Sequence, residues 1–99
     1  MGTLLDDATL TTELGNLDGW VVVTPEGTPV LANDFRFDDF AGSMAFVNRV
    51  AEIAEDLDHH PDISISWDTV RLMISSHADG GITDDCVTLA ERIDALRAG

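Results

Sequence analysis

The stretch "DDFAGSMAFVNRVAEIAEDL", residues 38–57, decides the fold, because its apolar residues recur at helical spacing. The apolar residues form two neighbouring stripes that each step by three or four positions: Phe40, Met44, Val47, Ala51 and Ala54, and Phe46, Val50, Ile53 and Leu57. The segment is predicted to be one long helix. Two adjacent stripes make a wide apolar face, so the helix is expected either to lie deep in its own core or to pack partly against another subunit.

The residues before this helix predict a helix and a β-hairpin. A first helix is predicted from about Leu4 to Leu14, with Gly15 as its C-cap. The segments "WVVVT" (20–24) and "VLANDFRF" (30–37) have the composition of strands, and "PEGTP" (25–29) between them is typical of a turn.

The residues after the long helix predict a second hairpin and a last helix. Apolar and polar residues alternate over 63–68 and again over 70–74, with "DT" (68–69) as the predicted link. Thr83 is the predicted N-cap of a helix that ends near Leu96, and Asp84 and Asp85 lie favourably at its positive end. The side chains expected to face inward from it are Leu89, Ala90, Ile93 and Leu96.

The resulting order is α-β-β-α-β-β-α, and no internal repeat or linker interrupts it. Four strands and three helices in this order predict the α+β class, with a four-stranded antiparallel sheet and helices on one face. We expect a single domain over residues 1–99.

Charge is the strongest signal in the composition: 19 acidic residues face five arginines, lysine is absent, and the formal net charge is −14. Binding to a phosphate backbone is favoured by clustered basic residues, which this chain lacks, so nucleic acid is not expected as a partner. The acidic residues are spread along the chain between apolar positions, which indicates a solvated surface and not a disordered acidic tail. Such a composition resembles that of proteins from salt-accumulating halophiles.

Membrane insertion and secretion are not expected. The longest strongly apolar run, Trp20 to Val23, is far too short to span a bilayer. The first ten residues lack the basic and apolar regions of a signal peptide, so a cytoplasmic location is predicted. The lone cysteine, Cys86, cannot form an internal disulfide and is interpreted as a small core residue.

All three histidines lie within 19 residues, and two of them stand in "EDLDHHPDIS", residues 55–64. Pro61 disfavours the helical conformation at His60, so His59 and His60 follow the end of the long helix. His77 lies beyond the last strand, which the second hairpin should return to the same edge of the sheet. The sequence therefore predicts that the three histidines converge.

Three interpretations of the histidines remain open at this point. Helix C-terminal polarity and the acidic neighbours Glu55, Asp58 and Asp62 would favour imidazolium, which suits proton transfer. The histidines could instead be solvated loop or helix-capping residues. A metal site formed by His59, His60, Asp62 and His77 is the third interpretation, although adjacent ligating histidines are unusual for zinc.

A resemblance to a known family favours the first interpretation. The run from Glu55 to Pro61, followed by Trp67, the alternation of residues 70–74 and then Ser76-His77, resembles the signature of the pterin-4a-carbinolamine dehydratases. Further blocks resemble that family in the same order: "DGW" (18–20), "FRFDDF" (35–40), "AFVNRVAEIAE" (45–55), "GGIT" (80–83) and "LAERID" (89–94).

The resemblance implies dehydration of a 4a-hydroxytetrahydropterin to the quinonoid dihydropterin in pterin recycling, without a metal or other cofactor. It implies His59 and His77 as the acid–base pair, with His60, also expected to be catalytic, shaping the pterin pocket. Glu55 would orient a histidine and Trp20 would contribute an apolar wall. The residues expected to bind or surround the substrate are Glu55, Asp58, Pro61, Ser76, Ala78, Asp79 and Trp20.

The resemblance also implies a homodimer or homotetramer, and it raises one alternative function. Animal members of the family bridge transcription-factor subunits, so a non-enzymatic interaction module is the alternative. Two positions depart from the pattern: Ile82 stands where relatives commonly have Leu, and Cys86 stands where many relatives have an acidic residue three positions after the threonine. A reciprocal capping box at the last helix is therefore expected to be lost.

Overall fold

A computed structural model of the chain describes residues 2–98 and contains three helices and four strands in the predicted order. They are helix α1 (Asp7–Asn16), strands β1 (Val21–Val23) and β2 (Val30–Arg36), helix α2 (Phe40–Leu57), strands β3 (Asp62–Ser66) and β4 (Thr69–Ile74), and helix α3 (Asp84–Ala98). The predicted α+β class is confirmed.

The strands form one antiparallel sheet in the order β1-β2-β4-β3. The two predicted hairpins meet through β2 and β4, whose register pairs Leu31 with Ile74 and Phe35 with Val70. Paired residues share a face of the sheet. The buried residues of these strands on one face join side chains from all three helices in one core, which places the helices on that face as predicted.

The turn of the second hairpin differs by one residue from the prediction. Ser66 pairs with Thr69, so the two-residue loop is Trp67-Asp68 and not "DT". Trp67 has a φ of 52°, in the left-handed region that the favoured two-residue hairpin turns use. Its side chain is 67% exposed, so this tryptophan is not part of the core.

Helix α2 has the two stripes that the sequence predicts, and they differ in burial. Phe46, Val50 and Ile53 are buried against the sheet, whereas Phe40 at the start of the other stripe is 51% exposed. Asp39 caps the helix by accepting a hydrogen bond from the Gly42 amide at 2.7 Å. Even this longest helix does not meet the requirements for a membrane span, and no other helix within residues 2–98 does.

Helix α1 begins and ends later than predicted. Leu4 and Leu5 are extended because they pair with the segment before α3; Leu5 N–H donates to the Ile82 carbonyl at 3.0 Å. Asp6 is the N-cap, and its carboxylate accepts from the Thr9 amide at 2.7 Å, which lowers the pKa of Asp6. The helix continues through Gly15, so the predicted C-cap at Gly15 is wrong.

The start of helix α3 retains one half of the capping box that the sequence predicted to be lost, the contact from the third helical residue back to the Thr83 amide. The Thr83 backbone N–H donates to the Cys86 sulfur at 3.4 Å, so the thiol takes the place of the expected carboxylate. The Thr83 hydroxyl also lies 3.4 Å from this sulfur. Both residues are buried, and Leu89, Ala90 and Ile93 face the core as predicted.

Candidate active site

The sheet register brings the two histidine segments to one end of the molecule. Asp62, the first residue of β3, pairs with Met73 near the end of β4. The chain therefore passes through His59 and His60 just before it enters β3, next to the point where it leaves β4 toward His77. This shared edge is the geometry that the hairpin pattern predicted.

The end of helix α2 determines the direction of His59. Asp58 is the C-cap in the left-handed conformation, with a φ of 51°, and the His59 amide donates to the Ala54 carbonyl at 3.0 Å. The His59 imidazole is half-buried, and its Nε2 lies 3.3 Å from the Cys86 sulfur. Burial raises the pKa of the Cys86 thiol, so this partner is protonated at neutral pH.

His60 points to a different partner. Its Nε2 contacts the Glu55 carboxylate one turn back along α2. The two side chains are 56% and 76% exposed, so the pair contributes little to stability but sets the direction of the imidazole. Glu55 therefore contacts His60, whereas the sequence left open which histidine it would orient.

His77 lines a pocket of about 140 Å³ on the face of the sheet opposite the helices. Asp62, Met73 and Ser75 line it from β3, β4 and the segment beyond, and the β1–β2 loop closes it with residues that include Glu26. This volume is below the roughly 300–1,000 Å³ of typical small-molecule sites, so the pocket could enclose only part of a two-ring ligand.

The predicted substrate-binding residues around His77 form a closed loop. The Ser76 hydroxyl donates to the Asp79 carboxylate at 2.6 Å, and the Ser76 carbonyl accepts from the Gly80 amide at 2.9 Å. Gly80 has a φ of 80°, which favours glycine. Ser76 and Asp79 thus hold the loop, and it leaves His77 and Ala78 exposed.

Trp20 is not brought to the histidines. It precedes β1 on the opposite side of the sheet from β3, and three strand spacings of about 4.8 Å separate these two strands. Its indole is 5% exposed, packs edge-on against Phe35 and donates from Nε1 to Asp94 at 2.8 Å. Its position therefore gives no support to the predicted role of an apolar wall, and it serves the core.

Pro61 and Asp58 stay with the histidines by chain connection, and Asp58 is an exposed helix cap. Within residues 2–98 no hydrogen bond joins two imidazoles, and no group of three or more His, Cys, Asp or Glu side chains is arranged to hold a metal ion. The sequence did not predict the contact between Cys86 and His59. Nothing in the local pattern indicates it, because it joins residues 27 positions apart.

Comparison with known proteins identifies the family. A family model described as pterin 4 alpha carbinolamine dehydratase matches residues 3–96. The chain belongs to this family. The resemblance seen in its sequence motifs is thereby confirmed over almost its whole length.

Individual dehydratase-family relatives match over nearly their full lengths. Several bear the name "Putative pterin-4-alpha-carbinolamine dehydratase". The one from Thermosynechococcus vestitus is 43% identical over 97% of each chain, and the one from Mycobacteroides abscessus is 46% identical over 92% of this chain and 93% of its own. A solved structure, described as a transcriptional coactivator/pterin dehydratase from Brucella melitensis, aligns with a TM-score of 0.88 and 29% identity, covering 95% and 98% of the two chains.

Proposed function

We propose that this protein catalyses the dehydration of a 4a-hydroxytetrahydropterin, acting as a hydro-lyase of the pterin-4a-carbinolamine dehydratase type. Its family membership supports the reaction class. The observation that carries the proposal for the site is the pairing of Asp62 with Met73, because this pairing places His59 and His60 at the same edge as His77.

The reaction requires proton transfer at two neighbouring atoms of the substrate. A general acid protonates the hydroxyl on C4a, the C4a–O bond breaks, and water leaves. A general base removes the proton from N5, and the electron pair of that N–H bond forms the C4a=N5 double bond. No electrons are gained or lost overall, so acid–base groups are sufficient, and each typically contributes about 10²–10⁴-fold to the rate.

His59 and His77 are the proposed acid–base pair. His59 reaches the edge from the helix side of the sheet, where it contacts Cys86, and His77 lies at the pocket on the opposite face. The two imidazoles need not touch, because they act on different substrate atoms. His60, positioned by Glu55, is proposed to bind the pterin between them, with Pro61, Ala78 and the loop held by Ser76 and Asp79 shaping the rest of the site.

The direct test follows the loss of a 4a-hydroxytetrahydropterin by its ultraviolet absorbance. Protein dialysed against a chelator should accelerate this loss, because the proposed groups need no metal. A folded, chelated protein that does not exceed the spontaneous rate would refute the proposal. Activity that disappears with chelator and returns with a divalent metal would support the metal-site interpretation instead.

Variants test the roles of the histidines. His59→Ala and His77→Ala should each lower kcat by about 10²–10⁴-fold, whereas His60→Ala should act mainly on KM. Ser64→Ala, at an exposed position of the adjoining strand β3, is the matched control and should retain full activity. If the three histidine variants behave like the control, these residues are not the site.

We further propose that the protein forms a homodimer or homotetramer through helix α2. The stripe that starts at Phe40 and includes half-buried Met44 and Val47 is apolar and only partly covered, which is a surface that a second copy would bury. The same stripe could serve the alternative, non-enzymatic role of binding another protein. If the protein has no dehydratase activity at all while this face of α2 is intact, that alternative is favoured.

Adaptation to high salt and a cytoplasmic location remain proposals from the sequence. The comparisons give no support to an origin in a halophile. The proposal of salt adaptation rests on the charge of −14 and the absence of lysine alone.

A further inference from the structure

Cys86 joins the start of helix α3 to a histidine of the proposed site. It lies in the first turn of the helix and is completely buried. Three polar atoms surround its sulfur: the Thr83 backbone nitrogen at 3.4 Å, the Thr83 hydroxyl oxygen at 3.4 Å and the His59 Nε2 at 3.3 Å. The mechanism proposed above does not use this thiol.

The proton of the thiol can take only two positions in this cluster. The Thr83 backbone N–H is a donor, so the sulfur accepts from it. The thiol carries one proton, because burial raises the pKa of Cys86. That proton points either to His59 Nε2, which must then be unprotonated, or to the Thr83 hydroxyl oxygen.

The hydroxyl proton of Thr83 distinguishes the two positions. Within residues 2–98 this buried hydroxyl has no hydrogen-bond partner other than the Cys86 sulfur. If the thiol donates to His59, the hydroxyl can donate to the sulfur, and every proton is paired. If the thiol donates to the hydroxyl, the hydroxyl proton is left buried and unpaired, which is unfavourable.

We propose that Cys86 is a positioning residue that holds neutral His59 in the tautomer with its proton on Nδ1, while Nε2 accepts a hydrogen bond from the thiol. The thiol faces Nε2 from the protein interior, so Nδ1–H is the group left for the substrate. The role of Nδ1–H toward the substrate rests on the proposed dehydratase function, whereas the assignment of the tautomer does not.

A thiol also differs from a carboxylate in what it permits at His59. A carboxylate only accepts hydrogen bonds, so it pairs with an imidazole that carries a proton on Nε2. A thiol donates to the neutral ring, and it can accept from the imidazolium only by rotating its proton toward Thr83, which leaves the Thr83 hydroxyl proton unpaired. Cys86 can therefore contact His59 in both protonation states, and the contact is more favourable with the neutral ring.

The tautomer is measured directly by the nitrogen chemical shifts of the imidazoles in ¹⁵N-labelled protein, at a pH where the rings are neutral. Wild-type His59 should show protonated Nδ1 and unprotonated Nε2. A wild-type His59 with its proton on Nε2 would overturn the proposal, and this measurement needs no variant. His60 and His77 give internal reference signals.

Variants of Cys86 then test the cause. Cys86→Ser keeps a donor and should keep the Nδ1–H tautomer. Cys86→Ala, which has no donor, and Cys86→Asp, which only accepts, should both move the proton to Nε2 and leave the His60 and His77 signals unchanged. An unchanged His59 tautomer in the Ala and Asp variants, shown to be folded by circular dichroism, would overturn the role of Cys86.

Kinetics show whether the tautomer matters for the reaction. Cys86→Ala should lower kcat by about 10–100-fold, the size typical for loss of a group that orients a histidine, with little change in KM, and Cys86→Ser should retain most of the activity. Equal kcat in all folded variants, despite a changed tautomer, would refute the catalytic consequence. A wild-type protein without any dehydratase activity would refute the proposed function and leave the tautomer assignment standing on its nitrogen shifts.

Discussion

The stability of the protein should fall with rising pH because of one residue, Cys86. The chain has no lysine and no tyrosine, and carboxylates and imidazoles titrate at lower pH and guanidinium groups at higher pH. Cys86 is therefore the only side chain with an ordinary pKa between pH 8.5 and 11. Its thiol is completely buried, and burial raises the pKa above its ordinary value of 9.0.

The sign and size of the effect follow from proton binding. Above pH 9 the unfolded chain loses the thiol proton and the folded chain keeps it, so the folded state binds more protons and stability falls as the pH rises. The stabilisation of the folded state by the buried, protonated thiol is fully present below pH 9. For a folded thiol that does not ionise, the free energy of unfolding drops by up to about 1.4 kcal/mol per pH unit, which amounts to about 2 kcal/mol by pH 10.5.

The assay is urea denaturation followed by circular dichroism at pH 8.0 and pH 10.5, with a reductant present. Cys86→Ser is the matched control, because its hydroxyl has a similar shape and does not titrate in this range. Wild type should lose more than the serine variant between the two pH values, by up to about 2 kcal/mol. Equal losses in the two proteins would mean that the folded thiol ionises freely, which would contradict its burial.

Three other predictions address the core, the surface charge and the assembly. Trp20→Phe should lower the free energy of unfolding by about 2 kcal/mol, because it removes a partly buried hydrogen bond to the Asp94 carboxylate, and it should leave KM unchanged. Trp67→Phe, at the exposed turn, is the control for urea denaturation. A Trp20 variant that has a raised KM and full stability would instead support the predicted role of Trp20 as a wall of the substrate site. The melting temperature should rise steeply from 10 mM to 1 M KCl, because the Debye length falls from about 30 Å, comparable with the 38 Å long axis of the molecule, to about 3 Å. Sucrose, which stabilises without screening, is the comparison, and a flat response to KCl would remove the argument for salt adaptation. Light scattering should give a multiple of the 10.7 kDa monomer mass. Ala51→Arg, in the exposed stripe of α2, should reduce that mass, whereas Glu52→Arg beside the stripe should not; a strictly monomeric wild type would exclude the assembly.

Local periodicity was sufficient to predict the secondary structure. The two stripes of residues 38–57 predicted α2 almost to the residue, and alternation about Trp67 predicted the second hairpin. These patterns are informative because each helix or strand buries one face, so its apolar residues recur with the period of that element. The errors lie at element boundaries. Leu4 and Leu5 carry a helical pattern but are extended, because hydrogen bonding to the segment before α3 overrides their propensity.

The sequence by itself also indicated the family and the shared edge of the histidines. The resemblance of its motifs indicated the family, and spacing indicated the shared edge, since a hairpin that begins after Pro61 must return His77 to the end of the sheet where it began. The sequence could not assign the partner of each imidazole. The side chains of adjacent residues after a helix end point in different directions, and the cap at Asp58 sets those directions. Only the tertiary structure showed that His60 turns to Glu55 and His59 to Cys86, and that Trp20 belongs to the core through Asp94. The contacts of His59 and Trp20 join residues 27 and 74 positions apart, and such contacts depend on the packing of α3 against the rest of the chain, which no local pattern contains.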